Sequence, residues 1–292
     1  MSLLIDEFAT LPPLLPEWAP KAAGPKVLVV VAHPDDEYYC AAVLYRLTHE
    51  LGGTADLAVL TNGEAGYRYS SLAERIYGRR LTEELLGRQA LPAIRRRETL
   101  RAGRILGIRR HYFLKERDFQ YTLDLEEALS LGWDAERIVR FLANRMRRER
   151  YDFVITVLPV TDTHGHHQTA TLLALQAAGK NGPVVLGAEP ARLADPVREF
   201  AANPGHPLLA AHPGGSVHTF DRRRSFGFRN ELQYNIVVNW VIAEHKSQGA
   251  FQNDSGRHDC ERYWVLGGRE DAPTRAAELF ALLNENGSEQ VH

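Results

Sequence analysis

Two stretches of the chain are mainly apolar and have the length of a β-strand, and the first is a continuous run of Val and Leu. They read KVLVVVA over residues 26–32 and YDFVITVLP over residues 151–159. An alternating pattern would indicate a strand with one face in water, whereas a continuous run requires a strand that is covered on both faces. Strands of this kind occur mainly in parallel sheets with helices packed on each side. These two runs therefore constrain the fold more than any other feature of the sequence.

Helical patterns separate the apolar runs along the chain. Strands alternating with helices predict an α/β fold that is Rossmann-like, with a mainly parallel sheet and helices on both faces. The predicted elements are a helix from Glu37 to Leu51, a strand from Asp56 to Leu60, helices at 93–107 and around 138–146, a strand at 111–114, a helix around 238–247 and a strand at 261–266. Residues 181–233 are rich in Gly, Pro and His and show no clear pattern.

Composition narrows the domain organisation and the class of protein. Residues 1–25 contain LPPLLPEWAP and predict an irregular N-terminal arm, followed by a single domain at 26–292. The formal net charge of -2 lacks the basic bias of a nucleic-acid binder, and the arginine runs at 95–97, 145–150 and 222–224 are predicted to be solvated faces. Two cysteines, no long apolar segment and no signal-like N-terminus predict a cytoplasmic protein without membrane or nucleic-acid partners.

Two polar clusters follow the two apolar runs. VAHPDDE (31–37) continues the first run, and THGHHQTA (163–170) comes soon after the second. The carboxyl ends of parallel strands meet at one edge of a sheet, so we expect the clusters to lie close together. His33, Asp36 and a histidine of the second cluster would then form the open two-histidine, one-carboxylate arrangement of catalytic zinc. A divalent cation would also offset the repulsion among the consecutive acids.

Each cluster also has a simpler interpretation. The acids at 35–37 could cap the helix that follows, because carboxylates are favoured at the positive N-terminal end of a helix. The sequence HGHH could form a solvated loop. The occurrence of both clusters at equivalent strand ends favours a shared metal site over two unrelated turns.

The two clusters and three further segments together resemble a known family. AHPDDE (32–37), TNGEAG (61–66), the pattern Arg95-x-x-Glu98, HGHHQTA (164–170) and His245-Lys-Ser-Gln248 occur in the order of the LmbE-like or PIG-L deacetylases. The resemblance covers about residues 26–266. It implies the LmbE-like fold and a zinc-dependent hydrolase that removes N-acetyl groups from an N-acetylglucosamine-containing small molecule or glycoconjugate.

The resemblance also implies roles for individual residues. His33, Asp36 and His167 match the zinc ligands of the family, although Fe²⁺ is an alternative metal. Asp35 matches the general base. His164 matches the residue that stabilises the oxyanion or donates a proton. These roles agree with the needs of amide hydrolysis, which are an activated water, stabilisation of the carbonyl oxygen and a proton for the departing amine.

Two positions depart from the family pattern. His166 stands where an aspartate is usual, and the loss of that carboxylate puts the orientation and protonation of His164 in question. Asp162 stands where some members have a tyrosine. Asp162 could orient a histidine or only cap a turn. Both residues are therefore candidates for supporting the site from outside the metal ligands.

Five further residues are candidates for substrate binding. Glu64, Tyr67 and Arg68 follow a strand end, although a polar loop flanked by glycines could equally be solvated surface. His245 and Gln248 share a helix face and could instead make structural hydrogen bonds.

Alternative functions are a zinc amidase that cleaves a thiol-sugar conjugate, or a metal-binding or glycoside-binding protein in which the change at position 166 has weakened turnover. Homo-oligomerisation is left open.

Overall fold

The structure is a computed structural model that describes residues 24–203 and 205–285. Its strands are β1 Lys26–Val31, β2 Thr54–Thr61, β3 Ile108–Glu116, β4 Phe153–Val157, β5 Val184–Ala191, β6 Val217–Asp221, β7 Ser225–Phe226, β8 Leu232–Gln233 and β9 Cys260–Gly267. Its α-helices are α1 Ala41–His49, α2 Ser71–Tyr77, α3 Glu84–Ile105, α4 Leu125–Ser130, α5 Ala135–Glu149, α6 Gly165–Ala178, α7 Tyr234–Glu244 and α8 Ala272–Asn284. Short 3₁₀ helices cover Asp36–Cys40, Glu64–Tyr69, Phe228–Asn230 and Ala250–Asp254.

Seven strands form the central sheet in the order β3-β2-β1-β4-β5-β9-β6. β1 pairs in parallel with β2 and β4, β2 with β3, and β4 with β5. β9 runs antiparallel to its neighbours β5 and β6. The predicted mainly parallel α/β fold is thus confirmed. Chain order reverses between β1 and β4, and in open α/β sheets the crevice beyond the carboxyl ends of two such strands is the usual ligand site.

Both faces of β1 are buried, which explains its continuous apolar sequence. Val27, Val29 and Val31 belong to one core cluster, which also contains residues of α1, α3, α7 and α8. Leu28 and Val30 belong to a second cluster, formed with residues of α4, α5 and α6 on the opposite face. Helices therefore cover both faces of the sheet, as the sequence predicts.

Several elements differ in extent from the prediction. The helix predicted from residue 37 begins as the 3₁₀ helix Asp36–Cys40 and becomes α-helical only at Ala41. β5 lies in segment 181–233, for which the sequence predicts no element. Its strand pattern is weak because Gly187 and Pro190 interrupt the apolar sequence. The helix α8 was not predicted at all. The predicted N-terminal arm lies outside the described residues except for residues 24 and 25.

Two arginines predicted to lie on solvated faces are buried, so that prediction is wrong for them. Arg95 is 3% exposed and Arg222 is 1% exposed. Arg222 donates from Nε to Oε1 of Glu261 at 3.1 Å, and Arg95 contacts the turn after β1. Buried guanidinium groups require such acceptors, which a one-dimensional sequence pattern does not reveal. Among residues 24–203 and 205–285, no helix has the length and apolar character needed to cross a membrane.

Candidate active site

The ends of β1 and β4 bring three predicted metal ligands together. His33 and Asp36 lie in the turn after β1, and His167 lies in the first turn of α6. Nε2 of His167 lies 3.2 Å from Nδ1 of His33 and 3.1 Å from Oδ1 of Asp36, and one ligand atom of each of the three residues lies within 4.8 Å of the other two. With bond lengths of about 2.0–2.1 Å, the ligand atoms on a tetrahedral zinc ion are about 3.3 Å apart. The residues therefore fit a divalent metal.

The atoms of this group that face away from the metal position have partners. Oδ2 of Asp36 accepts the backbone N–H of His33 at 2.7 Å. Nδ1 of His167 lies 3.1 Å from the hydroxyl of Thr163, and a bond from this nitrogen leaves the Nε2 lone pair free for a metal. Burial acts to raise the pKa of Asp36, but His167 and His33 outweigh it and hold that pKa well below its usual range. Asp36 is thus ionised and available as a ligand.

The adjacent Asp35 has an unusual backbone conformation. Its φ is 116°, a region that costs a non-glycine residue about 1–3 kcal/mol. Arg95 holds the turn, because its Nη2 donates to Oδ2 of Asp35 at 2.8 Å and to the carbonyl of Pro34 at 2.5 Å. Burial raises the pKa of Asp35 to about 6, with Arg95 opposing and Asp36 reinforcing the shift. A carboxyl group of this pKa can exchange protons near neutral pH.

Motif residues from α3 and from the segment after α7 support the turn from behind. Because α7 ends at Glu244, the prediction that His245 and Gln248 share a helix face is wrong. Nε2 of His245 lies 2.7 Å from Oε1 of Glu37, whose other oxygen accepts the N–H of Asp35 at 3.0 Å. Glu98 accepts the N–H and the hydroxyl of Ser247 at 2.9 and 2.6 Å. His245 is fully buried, so the structure favours the structural alternative for this residue over substrate contact.

His164 caps the N-terminus of α6 beside the three ligands. Its Nδ1 accepts the backbone N–H of His166 at 3.1 Å, which places the ring proton on Nε2. Burial lowers its pKa far below the ordinary value, and the nearby His33, His166 and His167 add to the shift. The ring centre lies 4.9 Å from that of His33. His164 is therefore a neutral hydrogen-bond donor next to the metal position.

A second group of side chains, which contains a residue that the sequence did not single out, lies on the other side of His33. Nδ1 of His166 lies 3.1 Å from Nε2 of His33 and 3.4 Å from Oδ1 of Asp118. His166 is 1% exposed and Asp118 is 3% exposed. Asp118 follows the carboxyl end of β3, so the strand-end rule that located the two motifs would also have located it.

Asp162 does not contact the histidines. Both of its carboxylate oxygens accept from Nη1 of Arg198 at 3.0 Å, and its side chain is 65% exposed. Nε of Arg198 also lies 2.9 Å from Glu189. The structure thus places Asp162 in a surface ion pair, which was neither of the two predicted roles.

The remaining substrate candidates fall into different environments. Glu64 is buried, and no donor in the described ranges reaches its Oε2, so this atom lacks a hydrogen-bond partner. Tyr67 belongs to a small apolar cluster, and Arg68 is exposed and donates to its hydroxyl at 3.1 Å. Gln248 is buried and donates to the carbonyl of Ser247 at 2.9 Å. Glu64 is the strongest of these candidates.

A cavity of about 130 Å³ opens beside the two aspartates. A water molecule occupies about 30 Å³ of liquid, whereas pockets for drug-sized ligands measure about 300–1,000 Å³. The cavity can therefore hold water and an acetyl-sized group, but a sugar ring would have to lie outside it. It is lined by Asp35, Asp36, Tyr38, Tyr39, Phe251 and Asp254.

Solved structures share the fold of this chain. GalB, the 4-carboxy-2-hydroxymuconate hydratase of Pseudomonas putida, is 15% identical, with a TM-score of 0.54 over 84% of this chain and 97% of its own. The A40926 pseudoaglycone deacetylase Dbv21 is 18% identical, with a TM-score of 0.50 over 82% and 96%. The N,N'-diacetylchitobiose deacetylase of Pyrococcus horikoshii is 22% identical, with a TM-score of 0.42. This match covers 56% of the present chain and 60% of that protein.

At this level of identity the likenesses show the fold alone, and the two with TM-scores of 0.54 and 0.50 are a hydratase and a deacetylase. Comparison with the sequences of curated proteins gives no match. The profile of the PIG-L family, described as GlcNAc-PI de-N-acetylase, matches residues 28–178, which are 151 of the 292 residues. This segment runs from β1 to the end of α6 and includes both histidine motifs. The resemblance seen in the motifs is thus confirmed, and the chain belongs to the PIG-L family.

Proposed function

We propose that this protein is a zinc-dependent N-deacetylase that acts on an N-acetylglucosamine-containing small molecule or glycoconjugate. Family membership supports N-deacetylation of a GlcNAc-like substrate. The observation that carries the proposal is the position of Asp35, which Arg95 holds beside the metal-binding group at the mouth of a cavity of acetyl size.

His33, Asp36 and His167 would hold the metal. A divalent ion there supplies a water of lowered pKa and polarises the amide carbonyl. Oδ1 of Asp35, the oxygen that Arg95 does not bind, accepts the proton of the attacking water and later delivers it to the departing amine nitrogen. Burial raises the pKa of Asp35 to about 6 before a metal binds, and a divalent ion beside it would lower this pKa, so the group is ionised at neutral pH and can accept the proton.

His164 acts on the carbonyl oxygen. Its Nε2–H can donate a hydrogen bond to this oxygen as it gains negative charge, and a preorganised donor of this kind typically contributes about 10²–10³-fold in rate. Glu64 supports the choice of a sugar substrate, because a buried carboxylate oxygen without a donor matches a hydroxyl group of a sugar ring. The sugar would lie between this residue and the cavity.

The fold alone does not decide the reaction, since a hydratase shares it. The test is release of free amine and acetate from N-acetylglucosamine conjugates by zinc-loaded and Fe²⁺-loaded protein. Asp35→Asn is the matched variant, which should bind the metal and lose most of the activity. A zinc-loaded protein that binds these conjugates without releasing amine would instead support the metal-binding or glycoside-binding alternative. Cleavage only of a larger amide on a thiol-sugar conjugate would support the amidase.

A further inference from the structure

We propose that Asp118, His166 and Nε2 of His33 form a second divalent-metal site, with His164 at its rim. The first ion binds Nδ1 of His33 and the second binds Nε2, so that His33 bridges the two. This inference rests on the proposed metal at the first site and adds a regulatory property to it, namely inhibition by excess metal.

The geometry resembles that of the first site. Nδ1 of His166 is 3.1 Å from Nε2 of His33 and 3.4 Å from Oδ1 of Asp118, and the remaining distance, from Nε2 of His33 to Oδ1 of Asp118, is 4.0 Å. One donor atom from each of these residues and from His164 fits within a 4.8 Å group. Modest contraction would give the spacing of about 3.3 Å expected around a tetrahedral ion.

The hydrogen bonds show why a cation suits this position. When Nδ1 of His33 binds the first ion, the ring proton is on Nε2 and can be donated to Nδ1 of His166. Oδ1 of Asp118 then faces a nitrogen lone pair at 3.4 Å, and no hydrogen-bond donor within the described residues reaches it. The side chain of Asp118 is 5% exposed, so solvent hardly compensates. A buried acceptor left without a donor is costly, and a metal ion would satisfy all three atoms.

Binding of the second ion has a defined proton balance. A second ion at Nε2 of His33 would release the proton of that nitrogen to solvent, and both ring nitrogens would then serve as ligands. A ring that has lost this proton would reduce the polarising power of a metal at the first site. Because changes in the partners of metal ligands typically alter activity about 10–100-fold, we expect excess zinc to slow hydrolysis at least tenfold.

The experiment is a titration of metal-free full-length protein with Zn²⁺ and with Co²⁺. Elemental analysis after equilibrium dialysis counts the ions, and the visible absorption of Co²⁺ reports their coordination. Wild-type protein should bind two equivalents, and the second should change the absorption of the first. Asp118→Asn should bind one. Asp162→Asn, a matched loss of a carboxylate from a surface pair, should still bind two. One equivalent in the wild type, or two in Asp118→Asn, would overturn the proposal.

A second measurement guards against misfolding of the variant. In Asp118→Asn the carbonyl can still accept the N–H of Ala65, which Oδ2 accepts at 3.1 Å, while the new amide can donate to His166. We therefore expect the metal-free variant to melt about 2 °C or more above the wild type. A lower melting temperature would contradict the unsatisfied acceptor on which the proposal depends.

The two proposals can fail separately. Two bound ions without hydrolysis at one equivalent would refute the deacetylase and retain the second site. Hydrolysis at one equivalent, together with failure to bind a second ion at excess metal, would refute the second site and retain the deacetylase.

Discussion

The two ring nitrogens of His33 face neighbours that differ in how well their hydrogen bonds are matched. On the Nδ1 side, one atom of Asp36 and one atom of His167 face the metal position. The other atom of each residue has a hydrogen-bond partner: Oδ2 of Asp36 accepts the N–H of His33, and Nδ1 of His167 pairs with the hydroxyl of Thr163. On the Nε2 side, Nδ1 of His166 lies 3.1 Å from Nε2 of His33 and would accept its proton when Nδ1 of His33 holds a metal, and Oδ1 of Asp118 has no donor in the described part of the chain. On the Nδ1 side the neighbouring hydrogen bonds leave the metal-facing atoms free to bind a cation. On the Nε2 side there are more hydrogen-bond acceptors than donors.

The difference follows from how each side is built. Asp36 belongs to the same turn as His33, and Arg95 and Glu37 hold that turn. The Nε2 side combines side chains that follow β3 and β4, so a change there leaves the turn intact. His166, in place of the aspartate that is usual in the family, is such a change. A carboxylate from another strand end, Asp118, lies beside it.

The largest predicted effect separates the two sides directly. Asp36→Ala should lose the first ion and reduce hydrolysis by about 10³-fold or more, because a metal typically contributes several kcal/mol to the transition state. Asp118→Asn should keep the first ion and lose no more than about tenfold at one equivalent of zinc, because Asp118 lies 4.0 Å from Nε2 of His33 and is not bonded to it. Bound zinc and the initial rate of amine release are measured in parallel. Equal losses in the two variants would remove the distinction between the sides.

The next effect concerns the two adjacent aspartates on the Nδ1 side of His33, which is called the matched side below, as opposed to the unmatched Nε2 side. Asp35→Asn should bind zinc with unchanged stoichiometry and lose about 10²–10⁴-fold in kcat, because it removes the proton acceptor and leaves the ligands in place. The isosteric amide can also keep its contact with Arg95. Metal content and kcat are compared with those of Asp36→Ala. Loss of zinc from Asp35→Asn would mean that Asp35 is itself a ligand.

Sequence reasoning located the matched side better than the unmatched one. His33 and Asp36 share a motif, the strand-end rule predicts the second histidine cluster near them, and the family resemblance selects His167 within that cluster. Asp118 was missed because it is a single aspartate outside any motif, and its partner His166 lies 48 positions further along the chain. Arg95 was recognised as part of a family pattern but predicted to be solvated, since the acceptors that allow a guanidinium to be buried come from the distant turn.

The fold shows the same limit of local information. The continuous apolar runs of β1 and β4 predicted their burial on both faces, because that pattern has a single physical explanation. β5 carries Gly187 and Pro190, which weaken the pattern, and only its pairing with β4 and β9 makes it a strand. The sheet order, and hence the meeting of the two motifs, depends on such long-range pairings.

A smaller effect should appear behind the matched side, at the pair of His245 and Glu37. Burial acts to lower the pKa of His245, but Glu37 outweighs it and raises that pKa above the ordinary value of 6.5. The extra stability is therefore fully present below pH 6.5 and is lost as the pH rises through the folded-state pKa. His245→Gln keeps a donor without the charge and should cost about 2 kcal/mol of unfolding free energy at low pH.

Urea unfolding between about pH 6 and pH 9 measures this dependence, because the difference between variant and wild type should shrink as the pH rises. His206→Gln is the control, since His206 pairs with the exposed Glu126 at the surface. A difference that stays constant across this range would show that His245 is neutral in the folded protein throughout.

The smallest effect distinguishes two neighbours in the turn before α6. Asp162 pairs with Arg198 in solvent, and such pairs typically contribute about 0–1 kcal/mol, so Asp162→Asn should leave zinc affinity and the pH profile of kcat/KM unchanged. Thr163 contacts Nδ1 of His167 at 3.1 Å, and Thr163→Val should weaken zinc binding about tenfold. Competition with a chelator measures both affinities. A shift of the basic limb of the profile in Asp162→Asn would show that Asp162 reaches His164 during catalysis, and the matched side would then extend further than these contacts indicate.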